Sequence, residues 1–518
     1  MTETSQLHKE PPLQSSEAGK LLCPCGPCAW WHAAPAAAIF LLAFALRLAY
    51  INHESVGYNE AITLMAARLP MRQMMAVLIS DFFHPPLHTI FLHFWLKLFG
   101  FGVVQARLLS VLFSGLAVVL VYVFSDYLLG RRTALFASLL MSVSQLAIWF
   151  AQEPRPFAQL QFFALLTSYL LVRAVREQRA LYWWLGVASS ILLLYTDYFG
   201  AFMICALALW ALAYGKRYHL RLSWILAGAA VSLVCYAPWL ASGVIHEAAH
   251  NSQTFGGKQP YMAVHWFTVL SAVNSFNNGK RDGLDANSPW WTFVLGGLLF
   301  AAPAVLAIAK GLAAKAPSGT EECDEREGVI LASLLWLVPF CIVIGLGFTL
   351  HIQYKVRYLL FCAAPYYILA GHGISQLRSR AWRWAIAVGI LAYSANALRA
   401  NYFMQWKENF RDAFAYVEAN REPGDCGIFL PGYDVPFQWT ITQAGRPSFR
   451  VIPREDIPAG LSQCDRVWAV AGANSENQWA WANAAADQRP LEMTHTKVPD
   501  SERRYFGVDV ALYQRKSR

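Results

Sequence analysis

Five short polar strings carry the groups in this chain that can do chemistry. They are Asn59-Glu60, Asp81 with His84-Pro85-Pro86-Leu87, Gln152-Glu153-Pro154-Arg155, Tyr195-Thr196-Asp197-Tyr198, and Lys355-Val356-Arg357-Tyr358. A carboxylate can take a proton from a hydroxyl, or bind a divalent cation that steadies a phosphate leaving group. Arg155 and Arg357 are permanently charged and match a phosphate bidentately, with Lys355 as a further cation. His84 precedes a proline and is held extended; it can hydrogen-bond a phosphate, orient a carboxylate or ligate a metal. Asp197 lies between Tyr195 and Tyr198, a carboxylate with stacking partners suited to a sugar. Each group also has a plain structural reading: a solvated loop acid, a Glu153–Arg155 salt bridge, a snorkelling Lys355, or tyrosines anchoring at a membrane interface. What favours chemistry is their setting between apolar runs, where ionised groups are expensive.

The elements that position these groups are membrane spans. The chain has 518 residues, 56% hydrophobic and 14% charged, with a mean hydropathy of +0.33, which is the composition of a polytopic membrane protein. Its net charge of +9 sits in short Lys/Arg clusters between apolar runs, as cytoplasmic loops require, and so argues against a nucleic-acid partner. Residues 1–34 read as a polar, disordered cytoplasmic tail without a cleavage pattern, followed by a retained first span. Cys23, Cys25 and Cys28 in that tail lack a fourth metal ligand, whereas Cys426 and Cys464 are plausible disulfide partners if they face an oxidising compartment.

Apolar stretches long enough to span occur near 35–51, 103–128, 133–150, 157–175, 181–196, 199–214, 222–241, 289–309, 329–349, 357–376 and 384–399. Segment 86–100 is short and begins with two prolines. If it does not cross, the clusters Arg131-Arg132, Arg173 to Arg179, Lys216 to Arg221, Lys310 to Lys315 and Arg378 to Arg383 all fall on the cytoplasmic side. Segment 86–100 therefore reads as an amphipathic interfacial helix within a first outer loop, 52–102. The same parity brings the polar strings and a long loop, 242–288, to the outer face.

From residue 401 hydropathy collapses. Helix-like stretches at 410–421 and 477–488 alternate with strand-like 426–430, 467–471 and 507–513, which reads as a compact outer α/β domain over 401–518.

Taken in order, Asn59-Glu60, His84-Pro85-Pro86-Leu87, Ala106-Arg107-Leu108, Gln152-Glu153-Pro154-Arg155, Tyr195-Thr196-Asp197-Tyr198-Phe199 and Val356-Arg357-Tyr358-Leu359 resemble the polyprenyl-phosphate-sugar-dependent glycosyltransferases of the GT-C superfamily. The likeness covers roughly 35–400 and is greatest to the protein O-mannosyltransferase and aminoarabinose transferase branch, glycosyltransferase family 39-like. It implies an inverting transfer from a polyprenyl-phosphate-linked sugar to a protein, lipid or glycan acceptor at the outer face of the plasma (inner) membrane. It also implies an acid in the first loop as base, and basic residues on the donor phosphate. Relatives usually carry Asp-Glu where this chain has Asn59-Glu60, and an amide cannot accept the proton. The expected base is therefore Glu60, with Asn59 positioning and Asp81 as the other source of a carboxylate. His84, Glu153, Asp197 and Tyr198 are expected to shape the substrate site or a divalent-cation site, and Arg155, Lys355, Arg357 and Tyr358 to hold the phosphate. The competing readings are a transporter or flippase of a lipid-linked sugar, and a catalytically impaired sugar-lipid-binding relative.

Overall fold

The computed structural model describes residues 29–247, 264, 266–279, 289–313, 325–350, 355–430, 439–440, 450–452, 456–472 and 491–516. The expectations for residues 1–28, for most of 242–288 and for a helix at 477–488 lie outside them.

Helix α1 (Ala29–Leu48) is followed by three short helices, α2 (Tyr58–Arg68), α3 (Met71–Asp81) and α4 (Leu87–Phe99). The bundle continues with α5 (Val103–Leu129), α6 (Arg131–Ser142), α7 (Gln145–Ala151), α8 (Phe157–Glu177), α9 (Ala180–Thr196), α10 (Gly200–Tyr214) and α11 (Leu222–Trp239). It is completed by α12 (Trp266–Asn278), α13 (Trp290–Ala313), α14 (Glu325–Leu350), α15 (Leu360–Ser375) and α16 (Arg380–Phe403). Each apolar stretch read from the sequence coincides with a helix or, for 133–150, with the pair α6 and α7. Among the described residues five helices are individually long and apolar enough to cross a membrane, or six if that bent pair counts as one, and shorter apolar helices pack beside them. Helix α4 has 13 residues. At 1.5 Å per residue it reaches about 20 Å, too short for the hydrocarbon layer.

Helix α15 runs through the middle of the bundle, buried from Leu360 to Ile374. Its Gly371 lets α6 approach, because a Cβ there would sit 2.6 Å from the backbone nitrogen of Ala137. The chain bends by 59° between α6 and α7, where Ser144 leaves helical geometry and its side chain caps the Ala147 N–H. That break frees carbonyls at the end of α6. The buried Arg47 of α1 takes those of Met141 and Ser142, both at 3.2 Å, and bonds Ser114 of α5 at 2.8 Å. In return Gln152 donates to the carbonyls of Arg47 and Ala49 that end α1, at 2.9 and 2.7 Å. The turn carrying Glu153 and Arg155 is thus fastened to the first span. At the opposite end of the bundle Arg176 of α8 pairs with the fully buried Glu327 of α14 at 2.9 Å, which also accepts from Tyr218.

After α16 comes α17 (Phe410–Asn420), then a mixed sheet of β1 (Cys426–Leu430), β2 (Arg450–Ile452), β3 (Arg466–Gly472), β4 (His495–Lys497), β5 (Arg503–Tyr505) and β6 (Val508–Arg515), with α18 (Ile457–Leu461) between β2 and β3. Strand order is β2-β1-β3-β6-β4, with β5 also on β6; β1 to β3 are parallel and β6 runs antiparallel to β3. The two-residue period of a strand divides its side chains between faces. Val467, Ala469 and Ala471 meet Ile428, Leu461 and Tyr513 on one face, while Trp468 and Val470 pack on Phe410, Phe414 and Val417 of α17 on the other.

Cys426 and Cys464 are bonded, with Cα atoms 6.1 Å apart and a sequence separation of 38. A loop of that length removes about 4 kcal/mol of chain entropy from the unfolded state. Replacing both cysteines by serine is expected to lower the melting midpoint of the sheet domain, read by differential scanning fluorimetry of the full chain. An unchanged midpoint would mean that the bond adds no stability.

Candidate functional site

Helix α2 begins at Gly57, and the carboxylate of its third residue, Glu60, turns back to accept the Gly57 N–H at 3.0 Å. That side chain points inward and is 3% exposed. Arg107, near the start of α5, lies 3.3 Å from the same oxygen and also donates to the carbonyls of Ile51, Glu54 and Ser55 at 2.8 to 3.2 Å. The ammonium of Lys407, from the segment between α16 and α17, sits 3.1 Å from Glu60 and 3.0 Å from Glu153, against the ring of Trp149. Charges therefore alternate in a buried row: Arg107, Glu60, Lys407, Glu153. Burial is the largest influence on Glu60 and pushes its pKa up, but Lys407 and Arg107, with the Gly57 N–H, outweigh it and hold the carboxyl below its ordinary range.

The expected base is thus a structural hub, with its oxygens committed to two cations and a backbone N–H. Asn59 beside it is exposed, and what it contributes is its carbonyl, which accepts from Arg155 and Thr63. Glu153, expected to help line the substrate pocket, belongs to Lys407.

Arg155 organises the other half of the site. It donates to Thr63 Oγ1 at 2.7 Å, to the Asn59 carbonyl at 3.3 Å and to His84 Nε2 at 2.9 Å. A guanidinium can only donate, so Nε2 carries the lone pair and Nδ1 the proton. Nδ1 lies 3.1 Å from Asp197, whose other oxygen accepts the Phe199 N–H at 3.0 Å. Burial favours this neutral imidazole and lowers its pKa, although Asp197 pulls the other way. Arg155 is itself pushed down to about 10, first by burial and next by the repulsion of Arg357.

Arg357 lies in the short 3-10 turn Val356–Leu359 that precedes α15. Arg155 and Arg357 flank the same ring, Phe157, each 5.8 Å from its centroid. Among the described residues Arg357 makes no hydrogen bond or ion pair, and no carboxylate bonds Arg155. Tyr358 stacks on Phe199 at 4.9 Å, the hydroxyl of Tyr198 accepts from Trp239 at 3.2 Å, and Lys355 is half-buried just ahead of the turn.

Asp81 is the last residue of α3, and Phe82 after it takes a left-handed conformation, φ 45°, that turns the chain toward His84. Its half-buried carboxylate makes no hydrogen bond or ion pair among the described residues. Burial raises its pKa, only partly offset by His84 and Arg155. The negative end of the α3 dipole acts in the same sense as burial. Asp81 is therefore a carboxylate of raised basicity, without a bonded partner among the described residues, near His84 and Arg155.

A divalent-cation site does not fit these donors. Both nitrogens of His84 are engaged, Glu153 is paired, and no cluster of three His, Cys, Asp or Glu suited to a metal occurs among the described residues. Sequence reading missed Lys407 and Thr63, and it gave Arg107 no role. Arg107 was detectable as an arginine inside an apolar run, but nothing local marks Lys407.

The family model for dolichyl-phosphate-mannose-protein mannosyltransferases matches residues 83–241, the stretch that holds His84, Glu153, Arg155, Asp197 and Tyr198. Comparison by sequence with curated proteins finds no match. In structure the chain is similar to ArnT from Cupriavidus metallidurans bound to undecaprenyl phosphate, with a TM-score of 0.59 at 13% identity over 93% of this chain and 98% of that one. The apo state of the same protein gives 0.60 at 14% identity, over 94% and 98%. The archaeal oligosaccharyltransferase AglB from Archaeoglobus fulgidus, in complex with an inhibitory peptide and a dolichol-phosphate, gives 0.51 at 12% identity, over 93% and 74%. At these identities the likeness is one of fold.

Removing one member of a buried ion pair costs about 3–5 kcal/mol, so Glu60→Gln is expected to lower the thermal midpoint of the purified protein at neutral pH. Because its carboxyl titrates below the ordinary value of 4.5 when folded, Glu60 adds stability that is complete above that value and is lost as pH falls through the lowered one. The gap in midpoint between wild type and variant should therefore narrow on acidification below 4.5; a gap that does not change with pH would contradict the ion pairing.

Proposed function

We propose that the chain, whose residues 83–241 match the family model for dolichyl-phosphate-mannose-protein mannosyltransferases, moves a monosaccharide from a polyprenyl-phosphate carrier to an acceptor outside the cytoplasm. The observation that carries this reading is the pair Arg155 and Arg357, two guanidiniums on one phenyl ring with no bonded carboxylate among the described residues, Asp81 lying near Arg155. An anion is what such a pair lacks, and a lipid phosphate supplies it. The ArnT structure to which the chain is similar was solved with undecaprenyl phosphate.

In the proposed step the acceptor hydroxyl oxygen attacks the anomeric carbon from the face opposite the phosphate. Its proton passes to Asp81, and the bond from sugar to phosphate oxygen breaks with its electron pair going to the lipid phosphate. Arg155 and Arg357 meet the charge that builds there, where fixed donors act most strongly. His84, held by Asp197, and Thr63 set the plane of the Arg155 guanidinium. Displacement from the opposite face inverts the sugar. The polar groups gather at one end of the bundle, which favours chemistry at an interface over passage through the midplane. The basic clusters of α8 and the α10–α11 turn lie at the other end. By the positive-inside rule that end is cytoplasmic, so the site opens on the extracytoplasmic side of the plasma (inner) membrane.

Asp81→Asn is expected to lower kcat by about 10² to 10⁴ while undecaprenyl phosphate still binds. Arg155→Gln and Arg357→Gln should each weaken that binding by about tenfold or more. Activity of the wild type should fall as pH drops through the raised pKa of Asp81, above its ordinary 3.8. The readouts are transfer from radiolabelled polyprenyl-phosphate sugars, offered one at a time, and lipid-phosphate binding in detergent. Normal turnover by the Asp81 variant would remove it as the base.

A further inference from the structure

The turn from Gln152 to Arg155 sets a carboxylate and a guanidinium two residues apart, the natural arrangement for a local salt bridge. In the folded protein that bridge does not form. Glu153, with its side chain 12% exposed, is held by Lys407 at 3.0 Å. Arg155 bonds a hydroxyl, a carbonyl and an imidazole nitrogen, all neutral. We propose that Lys407 is a positioning residue of the phosphate site: by holding Glu153, it keeps Arg155 without a carboxylate partner and so available to the lipid phosphate. The inference rests on the reading of Arg155 as a phosphate ligand.

The delivery of Lys407 is built into the fold. Its segment is fastened to the loop between α1 and α2 at three places. The two carboxylate oxygens of Glu54 accept the backbone N–H groups of Trp406 and Lys407, each at 3.0 Å. Arg411 donates to the carbonyls of Asn52 and His53 at 2.8 and 3.1 Å, and its backbone N–H meets Ser55 Oγ at 3.3 Å. The Trp149 ring lies 4.8 Å from the ammonium and walls it off. Without that ammonium Glu60 keeps Arg107, but Glu153 has no other bonded cation among the described residues. The nearest one along its own chain is Arg155, whose charge already responds to it. A captured Arg155 has its fork filled by an internal anion, and the phosphate must displace it.

The test uses the full chain in detergent and undecaprenyl phosphate as the probe. Lys407→Met, which keeps the volume and removes the charge, should weaken binding by about tenfold or more, while Lys407→Arg stays within about threefold of wild type. Neutralising Glu153 as well removes the competitor, so Glu153→Gln with Lys407→Met should return binding to within about threefold of wild type. A purely structural lysine gives no such rescue. Wild-type binding by Lys407→Met, or a double variant as weak as the single one, overturns the inference. If Lys407→Met does not fold, the double variant decides alone, and weak binding by it is the overturning result. Arg155→Gln separates the two readings: unchanged binding there removes Arg155 as a phosphate ligand, whereas weakened binding there with a normal Lys407→Met variant removes only the role of Lys407.

Discussion

The structure around the site depends on one row of buried charges, Arg107, Glu60, Lys407 and Glu153. Each member comes from a different element: the start of α5, the first turn of α2, the segment before α17, and the turn before α8. Ion pairs in such a setting bring little net stability, because desolvation consumes most of the attraction. What they bring is a link among four elements, since each charge in the row is bonded to a member from a different one. The same row divides the acids of the site into two kinds. Glu60 and Glu153 are absorbed by cations, and Asp81 is left over.

That division explains how a chain with an amide at position 59 can still hold a usable carboxylate. Asp81 stands at the carboxyl end of a helix and in partial burial, both of which favour its protonated form, whereas Glu60 caps the amino end of a helix and is surrounded by positive charge. The proposed proton acceptor is therefore selected by helix polarity and by the company of arginines, not by its place in a motif.

The bundle was legible because spans announce themselves by hydropathy; charge parity kept 86–100 out of the count, and α4 there has 13 residues, one of the shorter apolar helices along with α9 and α10. The strands over 426–430, 467–471 and 507–513 were legible from their alternation, and Cys426 with Cys464 from their shared surroundings. Residue types singled out Arg155, His84 and Arg357 as candidates, but not their partners. His84 was open between phosphate, carboxylate and metal; in the structure it accepts from Arg155 and donates to Asp197. Glu60 was read as the base because Asn59, an amide, cannot take the proton; Lys407, hundreds of residues downstream and folded back onto Glu60, was not visible in the sequence. Long-range charge pairing leaves no periodicity to read.

One consequence concerns the order in which the site can be assembled during synthesis. The helices that carry Glu60, Asp81, His84, Arg155 and Asp197 are all complete before α11 ends, yet the cation that joins two of their carboxyl groups arrives only with residue 407, after α16. A chain that ends before that point lacks the ammonium that Glu60 and Glu153 share. The site is thus completed by the segment that follows the bundle, last in the order in which the chain is made.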